Sequence, residues 1–183
     1  FLQALETEPR KEHRHRIEHA LSPTIQARDL MAKNDVVVST HPQWIYKWFD
    51  RARLLQHLDG ERGVVPLKSY LDRGIPVAFG ADPPAFPLYK PQMALWQATA
   101  RITEKGYRFS PSESISTKKA LRCQTMGSSY AAFQEREIGS IEKGKLADLV
   151  VWNKDIYEVK VDEIRDLKAE ATIVGGKVIY GKL

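Results

Sequence analysis

Short strand-like runs alternate with longer helical patterns over roughly the first 133 residues of the chain. The strand-like runs are Arg14–His19, Val36–Ser39 and Pro76–Gly80, and the helical patterns are Pro23–Lys33, Pro66–Arg73 and Gln92–Thr103. Short strands separated by helices are typical of a parallel sheet that helices cover on its faces. The pattern therefore predicts an α/β fold with three parallel strands.

Serine residues stand before three of the helical patterns and can cap them, at Ser22, Ser110 and Ser116. Ser110 and Glu113 have the spacing of a capping box, in which each residue satisfies the backbone amide of the other. The last of these helices is predicted to reach Met126 and to end at Gly127.

The pattern changes after Ile138 to short strands and turns. Strands are predicted at Asp148–Trp152, Ala171–Val174 and Lys177–Tyr180. Gly175-Gly176 lies between the last two, and a two-residue glycine loop favours a β-hairpin because both turn positions can take a positive φ. We therefore predict a first domain over residues 1–137 and a small β-rich domain over residues 138–183, packed closely together.

Composition narrows the classes of partner. The 183 residues are 43% hydrophobic and 28% charged, as in a globular protein with a core. The formal charge of +5 is scattered without a basic stripe, so we expect no nucleic-acid binding. No apolar run approaches the roughly 20 residues of a membrane span. The single cysteine excludes an internal disulfide and fits a cytoplasmic location.

His19 lies at the C-terminal end of the first predicted strand. Strand alternation places His15, Ile17 and His19 on one face, and Arg16 with Glu18 on the other. One interpretation is that Arg16 and Glu18 form an ion pair and the histidines are ordinary core or surface residues. The other is functional, because catalytic groups gather at the C-terminal strand ends of (β/α)₈ barrels.

Asp82 and His41 follow the other two strands at the same predicted edge. An aspartate after a strand is often a cap or turn residue, and His41 before Pro42 fits an ordinary loop histidine. Histidine nitrogen and carboxylate oxygen are also ligands for zinc and related ions. His19 and Asp82 are therefore candidate metal ligands, and His41 is a candidate substrate contact.

Two further patterns are weaker candidates. His13 and His15 form a His-x-His pair, but they precede the C-terminal end of their strand and would lie deep in the sheet or at its opposite end. Trp44 and Trp48 share one helical face, which predicts core packing or, alternatively, a pocket wall.

Taken in order, these segments resemble the YtcJ-like branch of the amidohydrolase superfamily. This branch includes N-substituted formamide deformylases and is related to D-aminoacylases. The matching segments are RHRIEHA at Arg14–Ala20, VAFGAD at Val77–Asp82, IGSIEKGKLADLVV at Ile138–Val151 and TIVGGKVIY at Thr172–Tyr180. The resemblance covers nearly the whole chain from about His13.

The resemblance implies the C-terminal part of a (β/α)₈ TIM barrel, strands six to eight, followed by part of a small β-sandwich domain. His19 then matches a strand-six histidine that binds a metal or its hydroxide. Asp82 matches the strand-eight aspartate, which binds metal and carries the proton from water to the leaving nitrogen. His41 departs from the pattern, because relatives commonly have glutamine before this proline.

The resemblance also implies that the other metal ligands would lie upstream of Phe1. We therefore expect a fragment of a zinc- or other divalent-metal-dependent hydrolase of small-molecule amides, inactive without the upstream strands. The alternative is a non-catalytic structural or regulatory module, like relatives known as exoenzyme regulatory proteins. An unclosed sheet predicts self-association or pairing with the upstream half of a barrel.

Overall fold

The structure, a computed structural model, describes residues 2–10, 12–48, 63–84 and 88–182. Two three-stranded sheets with helices beside them make up this part of the chain. Its helices are α1 (Leu2–Thr7), α2 (Ile25–Lys33), α3 (Trp44–Trp48), α4 (Leu67–Asp72), α5 (Pro91–Ala100), α6 (Thr117–Arg122) and α7 (Ser128–Ala131). No helix among them is long and apolar enough to cross a membrane.

The first sheet is parallel, as predicted, with the order β1-β2-β3. Its strands are β1 (Arg16–Glu18), β2 (Val37–Thr40) and β3 (Val77–Phe79), each shorter than or shifted from the predicted run. Ile17 pairs with Val38, and Val38 pairs with Val77. The C-terminal ends of all three strands therefore meet at one edge of the sheet.

The N-terminus of α2 differs from the prediction. Thr24 caps the helix, because its hydroxyl accepts a hydrogen bond from the Ala27 amide at 3.2 Å. The hydroxyl of Ser22 instead donates to the carbonyl of Gly63 at 3.1 Å. The prediction of Ser22 as the cap is wrong, since this serine joins two distant chain segments.

The predicted capping box at Ser110 and Glu113 is also wrong. Ser110 has a left-handed backbone and no capping bond within the short 3₁₀ helix Pro111–Glu113. The Ser110 hydroxyl accepts from the Val64 amide at 2.9 Å. The Glu113 carboxylate accepts from the amide and hydroxyl of Ser69, in the first turn of α4. Both side chains thus satisfy groups on other elements.

The helix after Ser116 begins as predicted but continues further. The Ser116 hydroxyl accepts from the Lys119 amide at 3.4 Å. After Arg122 the backbone passes through a π-helical turn, Cys123–Gly127, directly into α7. Gly127 therefore does not end the helix, and its φ of −63° is helical.

This helix covers the edge of β3 that faces away from β2. The carbonyl of Pro76 and the amide of Gly80 bond to β2, so the intervening Val77 and Phe79 backbones point to the opposite edge. There, Gly127 lies against the Val77 carbonyl, and the Ser128 hydroxyl donates to the Phe79 carbonyl at 3.3 Å. The edge of β3 is therefore not free for the predicted self-association, which leaves the edge of β1 as the candidate surface.

The second sheet is antiparallel and contains the predicted hairpin. Its strands are β4 (Leu149–Trp152), β5 (Ala169–Val174) and β6 (Lys177–Gly181), in that order. Gly175 and Gly176 have φ values of 55° and 79°, as the glycine loop predicts. The carboxylate of Asp148 accepts from the Gly175 amide at 2.7 Å and holds the turn in place.

Trp96 connects the α5 layer with the segment that leads into the second sheet. Its side chain is buried, and its indole nitrogen donates to Asp162 at 3.4 Å. The guanidinium of Arg165 lies 4.8 Å from the centre of the Trp96 ring. Both partners belong to the 3₁₀ helix Val161–Asp166, which precedes β5. The two parts of the chain thus pack together, as expected.

An ion pair joins the start of β1 to the segment after α7, and it predicts acid sensitivity. The two terminal nitrogens of the Arg14 guanidinium donate to the Glu135 carboxylate. The guanidinium also stacks over the Tyr130 ring. Hydrogen bonding to Arg14 lowers the pKa of Glu135 from 4.5 to about 2. A lowered folded-state pKa stabilises the fold above the unfolded value, and this stabilisation is lost as pH falls from about 4.5 toward 2.

We therefore expect Glu135→Gln to be less stable than the wild type at pH 7, with a difference that shrinks as pH approaches 2. Urea unfolding at a series of pH values measures this. Glu137→Gln, at an exposed acid two residues away, is the control and should show no such convergence. A pH-independent difference for Glu135→Gln would contradict the role of its charge.

Candidate functional site

Hydrogen bonds tie together the C-terminal ends of the three parallel strands. The Thr40 hydroxyl donates to the His19 carbonyl at 2.7 Å, which joins the ends of β1 and β2. The Gly80 amide donates to the Thr40 carbonyl at 3.0 Å, which joins β2 to β3. The three candidate residues follow these strand ends, so His19, His41 and Asp82 share one edge of the sheet.

The His19 imidazole is exposed at this edge. The residue directly follows β1 and has a φ of 66°, so the chain turns sharply there. Its ring centre lies 4.9 Å from that of His41 and 4.9 Å from that of Trp44. His19 is therefore not a core residue, and its exposure is compatible both with an ordinary surface histidine and with a ring that is accessible to a ligand.

The His41 imidazole is buried at 4% exposure and packs tightly against β3. A Cβ atom on Gly80 would lie 2.6 Å from Cε1 of His41, so this position of the ring requires glycine. Neither ring nitrogen makes a hydrogen bond of normal geometry to a described residue. Buried polar atoms of this kind usually have a partner, which in many sites is a water or a ligand.

Burial lowers the pKa of His41, because desolvation disfavours the charged imidazolium. The backbone of Gly80 and the carboxylates of Asp82 and Glu18 act in the opposite direction, whereas His19 lowers the value further. Burial dominates, so His41 is neutral at pH 7. A neutral imidazole can both donate and accept a hydrogen bond.

Asp82 lies two residues beyond Gly80, on the segment that leaves β3. It has a left-handed backbone, with a φ of 53°, and a partly exposed side chain. Its carboxylate is close enough to raise the pKa of His41. The left-handed φ is consistent with a turn residue, and the electrostatic contact with His41 is what a site residue needs. The functional interpretation of Asp82 stays a prediction.

Two further residues contact this edge, and sequence reasoning had not singled out the first of them, Gln43. Gln43 is buried, and its amide nitrogen donates to the Gly80 carbonyl at 2.8 Å. Trp44 stacks on His41 with ring centres 4.6 Å apart. Trp44 is part of the core, as one interpretation predicted, and the pocket-wall interpretation stays a prediction. The Trp48 side chain lies outside the described residues. The string His-Pro-Gln-Trp directly after a buried strand was the available signal.

The other candidates behave as structural residues. Arg16 and Glu18 form the expected ion pair on the exposed side of β1. His13 and His15 stack on each other with ring centres 4.5 Å apart, at the end of β1 opposite His19. Within the described ranges, no cluster of three or more His, Cys, Asp or Glu side chains could hold a metal ion. His19 and Asp82 therefore do not belong to a complete metal site within these ranges.

Adding a single Cβ atom at Gly80 tests how closely the His41 ring packs against this position. We expect Gly80→Ala to displace the His41 ring and to lower the free energy of unfolding by about 1–3 kcal/mol, the usual cost of overpacking. The same substitution should cost much less in a His41→Ala background, because the colliding ring is gone. Urea unfolding of the four variants measures the coupling. Equal costs in both backgrounds would contradict the contact.

Comparison of the sequence with known proteins identifies its family. A model of the amidohydrolase family matches residues 1–180. The chain is 31% identical over 170 residues to N-substituted formamide deformylase from Arthrobacter pascens, which covers 90% of this chain and 30% of that protein. It is 24% identical over 185 residues to the putative amidohydrolase YtcJ from Bacillus subtilis, covering 99% of this chain and 35% of that protein. The predicted YtcJ-like resemblance is confirmed.

Solved structures of hydrolases share the fold of this chain. A metal-dependent hydrolase from Pyrococcus horikoshii matches with a TM-score of 0.72 at 21% identity, over 88% of this chain and 32% of that one. Zinc-bound atrazine chlorohydrolase from Arthrobacter aurescens matches with a TM-score of 0.60 at 20% identity, over 91% and 36%. The fold is that of amidohydrolase TIM-barrel proteins, and the chain spans about a third of the length of these relatives. The chain belongs to the amidohydrolase family.

Proposed function

We propose that this chain supplies strands six to eight of the barrel of a metal-dependent hydrolase that cleaves carbon–nitrogen bonds in small amides. In this assignment β1, β2 and β3 are the three strands, residues 1–137 belong to the barrel, and residues 138–183 belong to the β-rich domain. The observation that carries the proposal is the meeting of His19, His41 and Asp82 at one C-terminal sheet edge. The substrate class is suggested by the formamide deformylase relative.

The donor set of this edge fits a divalent ion such as zinc. His19 offers an accessible imidazole and Asp82 a carboxylate, which are common zinc ligands. Zinc also accompanies a structural neighbour from Arthrobacter aurescens. When bound, such an ion lowers the pKa of water toward neutrality and polarises a carbonyl group.

The chain's own residues have separate roles in this reaction. Asp82 accepts the proton of the attacking water and passes it to the leaving nitrogen, as a general base and then a general acid. His41 is neutral and contacts the substrate amide through a ring nitrogen, since neither nitrogen makes a hydrogen bond of normal geometry to a described residue. Trp44 fixes the planes of both histidine rings by stacking on them.

Two ligands from this chain are fewer than the three that a catalytic zinc site usually has. We infer that hydrolysis needs further ligands from strands outside these 183 residues. An upstream barrel half is the partner that would supply these strands. Association with a second copy through the edge of β1 is the alternative way to cover that edge, but it would bring no new ligand type. The backbones of Arg16 and Glu18 point to that edge, because the neighbouring residues bond to β2.

Zinc titration of the 183-residue chain tests the ligand assignment. We expect weak binding that a chelator removes readily, and further loss in His19→Ala and Asp82→Asn. His13→Ala is the matched control, because His13 lies at the other end of β1, and it should bind zinc as the wild type does. Stoichiometric zinc that resists chelation, or equal loss in His13→Ala, would contradict the assignment.

A non-catalytic structural or regulatory module is the second candidate function. The described part of the chain brings together no metal-binding cluster, which is compatible with this function and with the hydrolase alike. The two functions differ when a polypeptide carrying the upstream strands is added. Release of amine from an N-substituted formamide, abolished by Asp82→Asn, supports the hydrolase. Stable complex formation without any amide hydrolysis supports the module.

A further inference from the structure

A cavity of about 440 Å³ opens at the end of β3 opposite the candidate site. It is lined by Val77, the first residue of β3, and by the helical segment that covers this strand. A strand rises about 3.3 Å per residue, so Val77 and Gly80 are about 10 Å apart along it. The cavity volume lies within the range of roughly 300–1,000 Å³ that is usual for small-molecule sites.

The interior of the cavity is apolar. Its walls include Leu71 and Pro76 on one side and Cys123 and Met126 on the other. Burial raises the pKa of the Cys123 thiol to about 12, so this side chain is uncharged at neutral pH. The interior therefore fits a hydrocarbon or an aromatic ring.

Two cations line the same cavity. Lys119 and Arg122 are three residues apart on α6, so they lie on the same side of the helix. Neither forms an ion pair within 4.0 Å in the described part of the chain. Glu135 also lines the cavity, but both of its oxygens are held by Arg14. The charge that remains available to a ligand is positive.

We propose that this cavity binds a small carboxylate with an apolar body, such as a medium-chain fatty acid. The chain of the ligand fills the space between Leu71 and Met126, and its carboxylate lies between Lys119 and Arg122. A cation is disfavoured by the same two side chains. The site shares no residue with the proposed hydrolase site, so either can be wrong without the other.

The test uses the 183-residue chain with its methionine methyl groups labelled for NMR and titrated with octanoate. We expect the Met126 signal to shift, whereas Met31 and Met93, which do not line the cavity, serve as internal controls. The double substitution Lys119→Gln and Arg122→Gln should weaken binding by about 5- to 10-fold, since two exposed charge contacts are lost. Lys118→Gln, at an exposed neighbour on α6, should leave the affinity unchanged.

The uncharged analogue 1-octanol separates a carboxylate site from a merely apolar groove. We expect the wild type to bind 1-octanol more weakly than octanoate. The affinity for 1-octanol should be the same in the wild type and in the double variant. Equal affinities of octanol and octanoate, an unshifted Met126 signal, or an undiminished affinity of the double variant would each overturn the proposal. All three substituted residues are exposed, so the variants should retain the wild-type melting temperature.

Discussion

Replacing Arg101 with methionine is expected to lower the free energy of unfolding by about 3–5 kcal/mol, because buried carbonyls lose a charged hydrogen-bond donor. The side chain is fully buried, and its guanidinium donates to the carbonyls of Phe109, Val65 and Val64. Methionine fills similar space but cannot donate, so the carbonyls of Phe109 and Val64 would lose this donor at about 1–3 kcal/mol each. The Val65 carbonyl would keep its bond from the Leu67 amide. The expected loss is a large share of the roughly 5–15 kcal/mol that stabilises a typical domain.

Arg108→Met is the matched control, because Arg108 lies in the same loop with an exposed side chain. Arg101→Lys should fall between the wild type and Arg101→Met, since an ammonium group keeps the charge but lacks the planar fork of donors. Urea unfolding followed by circular dichroism measures all three variants. A loss below 1 kcal/mol for Arg101→Met would show that the hydrogen bonds of Arg101 contribute little net stability.

Arg101 also explains why the predicted helix Gln92–Thr103 ends early. Nothing in the local sequence stops the helix there, but Arg101 takes a left-handed backbone with a φ of 51°. This turn directs the guanidinium toward carbonyls 36 and 37 residues away in sequence. Helix ends set by such distant contacts cannot be found from propensity or capping patterns.

Features that depend on neighbouring residues were predicted well. The Gly175-Gly176 hairpin follows from the turn geometry alone, and the Ser116 cap follows from the position of a serine directly before a helical pattern. Ser22 and Glu113 failed because each side chain bonds to another element, across 41 and 44 residues respectively. The local rule was satisfied in these cases, but a distant partner competed for the same group.

The candidate site likewise combines features that the sequence predicted with features that it could not reveal. The strand pattern placed His19, His41 and Asp82 at one edge, because parallel strands bring their C-terminal ends together. The pattern could not reveal that His41 is buried against Gly80, since that contact joins two strand ends 39 residues apart in sequence. Residues that line up by topology are therefore predictable, whereas the burial that lowers the pKa of His41 is not.

Gly127→Ala is the second substitution with a large expected effect, and two principles disagree about its sign. Gly127 has helical backbone angles, and alanine is a better helix former than glycine by about 1 kcal/mol. Propensity alone therefore predicts a more stable protein. The structure predicts the opposite, because a Cβ atom there would lie 2.0 Å from the carbonyl oxygen and 3.0 Å from the carbonyl carbon of Val77.

Packing should decide the result, because the colliding atoms belong to the backbone of β3 and cannot rotate away. Relief requires the helix and the strand to separate, and overpacking of this kind costs up to about 3 kcal/mol. After the gain in propensity, we expect a net loss of about 2 kcal/mol in the free energy of unfolding. Gly74→Ala is the control for a loss of stability without a collision. Gly74 has a φ of 73°, so alanine is strained there, but no atom lies within 4 Å of the added Cβ.

Hydrogen exchange of the Phe79 amide separates displacement of the helix from a general loss of stability. The Phe79 backbone faces the edge that Gly127 and Ser128 cover, so its exchange should accelerate more in Gly127→Ala than that of the Val38 amide, which bonds to Pro76. In Gly74→Ala the two amides should change together. A Gly127→Ala protein more stable than the wild type would mean that the helix does not lie against β3 at this distance.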